Sequence, residues 1–289
     1  MKNDKEPYGN GRLKWISTQW LADHLDSIRI MDIQPDIHDY IKGHIPGAVY
    51  FAEKLLRLPL NGIPGVYIEP EAFANLMSRI GISNDTPVVI YTGIGLQQRW
   101  GNGLDQPMLA YTLLRFGHKE VYLLDGGLDK WVTEKRKISQ EFPKVKPSNF
   151  KAKVNSEMYV NIADVINLKD NDDVILLDAR PSNWYRGEDS PWIRDGHIPG
   201  AVNLPWKSLM NPDNPTQLKP VEEIKKLAED VGATKDKLVI CSCGTGREAT
   251  NEYTIFKHLL GYPKVRLYEG SFTEWSMDPK REVASSSQP

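Results

Sequence analysis

Tyr40-Ile41-Lys42-Gly43-His44-Ile45-Pro46-Gly47-Ala48-Val49 returns later in the chain as Ile193-Arg194-Asp195-Gly196-His197-Ile198-Pro199-Gly200-Ala201-Val202. A second pair of segments follows in the same order. Phe116-Gly117-His118-Lys119-Glu120-Val121-Tyr122-Leu123-Leu124-Asp125-Gly126-Gly127 closes on Trp131, and Leu260-Gly261-Tyr262-Pro263-Lys264-Val265-Arg266-Leu267-Tyr268-Glu269-Gly270-Ser271 closes on Trp275. Landmarks repeated in one order indicate a duplicated domain rather than a solenoid of short repeats. The length of 289 residues fits two domains of ordinary size. They are expected at 12–135 and 158–281, separated by Lys135–Met158, where Lys, Pro, Ser and Asn gather without periodicity. Met1–Gly11 and the Ser285–Pro289 tail are expected to be loose.

Within each copy, short apolar runs alternate with segments of helical period. Val88-Val89-Ile90-Tyr91 in the first copy has counterparts in Val174-Ile175-Leu176-Leu177-Asp178 and Leu238-Val239-Ile240-Cys241 in the second. Runs of that length suit strands buried on both faces. Ala249–Leu260 reads as a helix, with Gly261 just past its end. Strand, helix and strand in succession predict an α/β fold with a parallel sheet and helices on both faces. Ligands in such folds sit beyond the carboxyl ends of the strands.

Composition narrows the function. Forty per cent hydrophobic and 26% charged residues are ordinary for a globular chain. Thirty-six basic against 38 acidic residues give a net charge of −2, so there is no electrostatic footprint for nucleic acid or an anionic membrane. No run approaches the ~18 apolar residues of a spanning helix. Met1–Asn10 lacks an apolar core of the secretory type. That predicts a cytoplasmic protein, or a periplasmic one if a leader has been removed. Cys241 and Cys243 are the two cysteines, and a bridge between residues so close would be strained. Without histidines at ligand spacing they also make a poor zinc site, and no metal or organic cofactor is implied.

One stretch joins a strand end, a thiol, glycines and a helix start: Ile240-Cys241-Ser242-Cys243-Gly244-Thr245-Gly246-Arg247-Glu248-Ala249. Cys243 would stand at the carboxyl end of the strand, with Gly244 and Gly246 letting the backbone curl around it. The first amides of the next helix would point back at the sulfur and favour an anion. With Arg247 adding positive charge, the thiol is expected to titrate below its usual ~8.5. Cys241, inside the apolar run, reads as core, with a resolving thiol as the alternative. Thr245 offers its hydroxyl either to sulfur and substrate or to its own loop. Glu248 is placed to serve the helix N-terminus.

These segments resemble the rhodanese family. His44-Ile45-Pro46-Gly47-Ala48 and His197-Ile198-Pro199-Gly200-Ala201 look like its HIPGA element, Tyr268–Trp275 resembles its C-terminal signature, and Cys243–Glu248 matches its active-site loop in position. The resemblance runs from about Trp15 to about Pro279. It implies a tandem sulfurtransferase, each domain a five-stranded parallel sheet flanked by helices. It implies that Cys243 takes sulfur from a small anionic donor as a persulfide and yields it to cyanide, a thiol or a protein acceptor. The first copy offers Tyr91-Thr92-Gly93-Ile94-Gly95 at the matching place and is expected to be inert, since a threonine hydroxyl without a base cannot replace a thiolate. Its Gly93, Gly95, Arg99 and Trp100 are either cleft residues or plain surface. His44 and His197, each in a turn before proline, read as structural.

Nineteen positions separate Asp178 from His197, but twelve separate Asp32 from His44. The longer loop carries Arg180, Trp184, Tyr185, Arg186 and Trp192. Arg186 is the first candidate for binding the donor anion, because a guanidinium offers a two-pronged fork. Arg180 in Asp178-Ala179-Arg180 suits a structural ion pair as well as donor binding. At Trp184 many tandem members place an anion-binding arginine. Members that prefer thiosulfate tend to carry two basic residues after the cysteine, and those that prefer 3-mercaptopyruvate tend to carry Cys-Gly-Ser-Gly. Cys243-Gly244-Thr245-Gly246 resembles the second group while Arg247 supplies charge. The expectation is a thiosulfate sulfurtransferase, with 3-mercaptopyruvate or a persulfide carrier for partner proteins as alternatives. A phosphatase of the same fold would need arginine where Ala249 stands.

Overall fold

Val88–Tyr91 is buried along its whole length because both faces of its sheet are covered, as its unbroken apolar sequence predicts. The computed structural model describes residues 6–285. The strands of the first half are β1 (Leu13–Ile16), β2 (Arg29–Asp32), β3 (Val49–Tyr50), β4 (Arg57–Leu60), β5 (Ile63–Tyr67), β6 (Val88–Tyr91) and β7 (Val121–Leu124). Its helices are α1 (Thr18–His24), α2 (Ile37–Lys42), α3 (Pro70–Arg79), α4 (Asp105–Arg115) and α5 (Gly127–Thr133). The second half repeats the plan with β8 (Tyr159–Val160), β9 (Val174–Asp178), β10 (Val202–Asn203), β11 (Met210–Asn211), β12 (Asn214–Leu218), β13 (Leu238–Ser242) and β14 (Val265–Tyr268). Among these run α6 (Ile162–Leu168), α7 (Ser182–Arg186), α8 (Val221–Asp230), α9 (Glu248–Thr254) and α10 (Ser271–Met277).

Two five-stranded sheets result, ordered β1-β7-β6-β2-β3 and β10-β9-β13-β14-β8. Every pairing within them is parallel. This is the α/β fold expected, one five-stranded parallel sheet per half, flanked by helices. The expected strand Leu238–Cys241 extends one residue, to Ser242. The expected helix Ala249–Leu260 begins at Glu248 and continues past Thr254 in a wider turn, Ile255–Leu259. It stops at Gly261, whose φ of 69° suits a residue without a Cβ.

Packing divides the chain into two units that do not follow the repeat strictly. One comprises the residues up to Arg57, Tyr67–Asn155 and Met210–Leu218, and the other Leu58–Val66, Ser156–Leu209 and Lys219 onward. In the first unit the β11–β12 hairpin is tied to the turn after β7. The Gly126 N–H donates to the Thr216 carbonyl, and the Leu218 N–H donates to Asp125 Oδ1 at 2.9 Å. The stretch 137–155 has no helix or strand, yet it is laid along this unit. Ser139 pairs with His44, Lys153 N–H donates to the Phe116 carbonyl, and Phe150 is buried edge-on against Phe73.

The expectation of a loose Met1–Gly11 fails in part. Tyr8 pairs with Trp15 and donates its hydroxyl to Asp125 Oδ2 at 2.6 Å. The first five residues, and all of the expected loose tail beyond Ser285, lie outside the described residues. Among the described residues no helix is long and apolar enough to cross a membrane.

Candidate active site

Cys243 follows the last residue of β13, the central strand of the second sheet, and both cysteines are fully buried and free. The chain leaves the strand into Cys243–Arg247 and enters α9 at Glu248. Gly246, with φ of 80°, lets the loop curl so that its N–H comes 3.1 Å from Cys243 Sγ. A Cβ on Gly246 would meet the Glu269 carbonyl at 2.6 Å. The amides of Thr245 and Ala249 also face the sulfur. Ser271 holds Cys243 in place: its hydroxyl accepts the Cys243 N–H at 3.1 Å, donates to the Tyr268 carbonyl, and lies 3.9 Å from Sγ. The sequence reading missed Ser271, although it falls within the Tyr268–Trp275 signature.

Amide donors thus surround the sulfur, as expected, but the expected acidic thiol is overturned. Burial pushes the Cys243 thiol well above its ordinary range, and the Glu248 carboxylate, which accepts a hydrogen bond from it, pushes the same way. The amides of Ala249 and Thr245 pull the other way without prevailing. Lost hydration and an adjacent negative charge outweigh a few peptide dipoles. Glu248 does stand in the first turn of α9, but its side chain turns to the sulfur, and its Oε2 has no hydrogen-bond partner. Cys241 is core: burial, then the neighbouring Glu252, raise its thiol too.

Arg180 is fully buried and gripped by Asp178. Its Nε and Nη2 meet the two carboxylate oxygens at 2.6–3.1 Å, and Nη2 also donates to the Gly196 carbonyl. Nη1 has no hydrogen-bond partner, and the guanidinium lies 4.1 Å from the Phe272 ring centroid and 5.1 Å from that of Trp192. Arg186 instead forms an exposed pair with Glu188 at 2.8 Å. Trp184 packs edge-to-face on Trp192. Trp192, a second residue the sequence left without a role, donates its indole N–H to Thr273 Oγ1 at 2.8 Å, and that hydroxyl donates to the Gly244 carbonyl. His44 and His197 are stacked on Tyr40 and Tyr185 and held by their backbone carbonyls, as structural histidines are.

The matching place in the first unit is built differently. Thr92 follows β6 as Cys243 follows β13, and Leu128 N–H donates to its carbonyl as Phe272 N–H donates to that of Cys243. The Thr92 hydroxyl is buried and donates to the Ile33 carbonyl. The loop amides are already occupied: Ile94 N–H donates to Asp129, and Gln97 and Gln98 N–H both donate to Asp39 Oδ1 at 2.5 and 3.0 Å. Gln34 stands beside Asp32 where Arg180 stands beside Asp178, and burial raises the Asp32 carboxyl to about 6 against the lowering hydrogen bonds of Tyr91 and Gln34. Arg99 lies near Asp129, and Trp100 is exposed. Among the described residues no group of three or more His, Cys, Asp or Glu side chains is placed to hold a metal ion.

A family model for the rhodanese-like domain matches twice, at residues 17–134 and 161–278. The sulfur carrier protein TtuD of Thermus thermophilus is 37% identical over 90% of this chain and 92% of its own. The thiosulfate sulfurtransferase of Corynebacterium glutamicum is 33% identical over 90% of this chain and 86% of its own. The crystal structure of SseA from Escherichia coli, a 3-mercaptopyruvate sulfurtransferase, superposes with a TM-score of 0.77 at 30% identity, covering 89% of this chain and 98% of that one.

Proposed function

Because the chain belongs to the rhodanese family of sulfurtransferases, we propose that its activity resides in the second unit, with Cys243 carrying sulfur as a persulfide from thiosulfate to a thiophilic acceptor. The carrying observation is the position of Sγ at the end of the central strand, with the Gly246 N–H at 3.1 Å and the amides of Thr245 and Ala249 turned toward it. Donors held in place stabilise negative charge where it develops, here first on Sγ and then on the outer sulfur of the persulfide. The thiolate attacks the outer sulfur of thiosulfate, the sulfur–sulfur bond breaks, and sulfite leaves with the electron pair. Cyanide or a thiolate then attacks the outer sulfur of the persulfide and regenerates the Cys243 thiolate.

Thiosulfate is supported by the Corynebacterium relative and by Arg247 in the loop. A second reading, 3-mercaptopyruvate, is favoured by one observation: the space above residue 244 is filled by the Trp192 ring, which leaves no room for a basic side chain there. The Thermus relative supports a protein thiol as acceptor. Arg186 is exposed and paired with Glu188, and exposed pairs of this kind are weak. The test is intact mass after incubation with thiosulfate and removal of the donor. Wild type is expected to gain the mass of one sulfur atom, to lose it to cyanide, and Cys243→Ser to gain none. Failure of thiosulfate with success of 3-mercaptopyruvate selects the second reading. Failure of both, and of polysulfide, removes the persulfide role from Cys243.

A further inference from the structure

A buried thiol pushed upward by its surroundings cannot supply much thiolate at neutral pH by itself, so its proton needs a taker. Glu248 acts on the Cys243 sulfur directly, and two further carboxyl groups lie in the same region, Glu252 being pushed upward by burial and then by both Asp178 and Glu248. Asp178 has both oxygens engaged by Arg180. Glu252, one turn along α9, is fully buried with neither oxygen hydrogen-bonded. Glu248 alone of the three receives the thiol's hydrogen bond, and its other oxygen, Oε2, is buried without a hydrogen-bond partner. Arg247 precedes it in the chain, and the backbone carbonyl of Glu269, on the turn after β14, lies against Gly246.

We propose that Glu248 is the general base and acid of the sulfur-transfer cycle, taking the Cys243 proton as the persulfide forms and returning it when the sulfur leaves. The assignment rests on the persulfide reading of Cys243. The balance closes in both halves. In the first, the Cys243 thiol, the Glu248 carboxylate and thiosulfate become the Cys243 persulfide anion, the Glu248 carboxylic acid and sulfite. A bond forms between Sγ and the outer sulfur, and the sulfur–sulfur bond of thiosulfate breaks. In the second, cyanide takes the outer sulfur as thiocyanate, and the released Cys243 thiolate recovers its proton from Glu248. Between the halves the Glu248 carboxylic acid can donate a hydrogen bond to the persulfide anion, so the group that repels a bare thiolate becomes a stabilising donor once protonated. Total charge near the sulfur is the same before and after each half, which a buried site requires.

The test is the rate of persulfide formation from thiosulfate, followed by quenching and intact mass, for wild type, Glu248→Gln and Glu248→Asp from slightly acid to alkaline pH. General bases contribute on the order of 10²–10⁴-fold. Glu248→Gln is therefore expected to load at least ~100-fold slower at neutral pH, with the deficit shrinking as rising pH ionises the thiol directly. Glu248→Asp, whose carboxylate falls one methylene short, is expected between the two. If Glu248→Gln does not fold, Glu248→Asp decides by the same pattern. Wild-type loading at neutral pH in the variants, or a deficit equal at every pH, overturns the assignment and leaves the Cys243 persulfide standing. Absence of loading in wild type with thiosulfate, 3-mercaptopyruvate and polysulfide removes the persulfide itself.

Discussion

Glu252 lies one helical turn from Glu248, with zero exposure and no hydrogen bond to either carboxyl oxygen. Burial, then the neighbouring Asp178 and Glu248, push its carboxyl well above the ordinary 4.5. Below about 4.5 both folded and unfolded chains hold the proton. As pH rises above that value the unfolded chain releases it while the folded chain keeps it, so this group's contribution to stability falls until the folded value is passed. Glu252→Gln keeps the shape and removes the titration. It is expected to melt near wild type in acid and above it at mildly alkaline pH, the gap widening between. Each ~1 kcal/mol would shift Tm by roughly 2–4 °C in a unit of this size. Thermal melts across pH decide it, and a gap constant with pH would mean that the carboxyl does not ionise on unfolding. Glu252 stands one turn from the cysteine loop in a helix otherwise turned to the core, but its burial could not be read from the sequence alone.

At the scale of elements, the loop before α9 and the long loop before His197 interlock through one glycine. A Cβ at position 244 would stand 2.4 Å from Trp192 Cζ2 and 2.6 Å from Cη2. The ring cannot swing aside without losing its N–H bond to Thr273 and its packing on Phe272 and Trp184. Gly244→Ala is therefore expected to cost about 1–3 kcal/mol, the usual scale for overfilling a packed site. In a Trp192→Leu background the cost should largely vanish, so a urea double-mutant cycle should show coupling of at least ~1 kcal/mol. Additive effects would mean that the ring yields freely. The elements themselves were legible: β6, β9 and β13 as unbroken apolar runs, and α9 through its end at Gly261. The interlock was not. Trp192 is distant in sequence from Gly244, and a glycine after a loop cysteine reads as flexibility when it is in fact room for an indole. The thiol's titration was misjudged for a related reason: helix-end amides can be read from a loop sequence, but the depth of burial opposing them cannot.

At the scale of the whole molecule, duplication was plain from the paired His-Ile-Pro-Gly-Ala segments, and the missing cysteine leads us to propose that the first copy is inert. Such inertness would rest on more than one atom. Thr92 occupies the structural place of Cys243, but its loop is closed on two carboxylates of its own unit. Asp39 takes the amides of Gln97 and Gln98, and Asp129 takes that of Ile94. A Cβ on Gly95 would stand 2.7 Å from Asp39 Oδ2, which shows how tightly the loop wraps that carboxylate. Amides spent on fixed internal anions cannot stabilise charge developing on a nucleophile, and Asp32 nearby has Gln34 where Asp178 has Arg180. Thr92→Cys should therefore not create a second persulfide site. Incubated with whichever donor loads Cys243, the Thr92→Cys protein is expected to gain the mass of one sulfur atom, and the Thr92→Cys/Cys243→Ser protein none. Gain of two in the first, or one in the second, would show that the cysteine alone separates the two units and that the carboxylates at Asp39 and Asp129 do not close the loop. If the expected result holds, opening the loop should be the added requirement. Thr92→Cys combined with Asp39→Asn, which leaves the side chain's shape but removes its charge, is the variant in which slow loading of the first unit would first be seen.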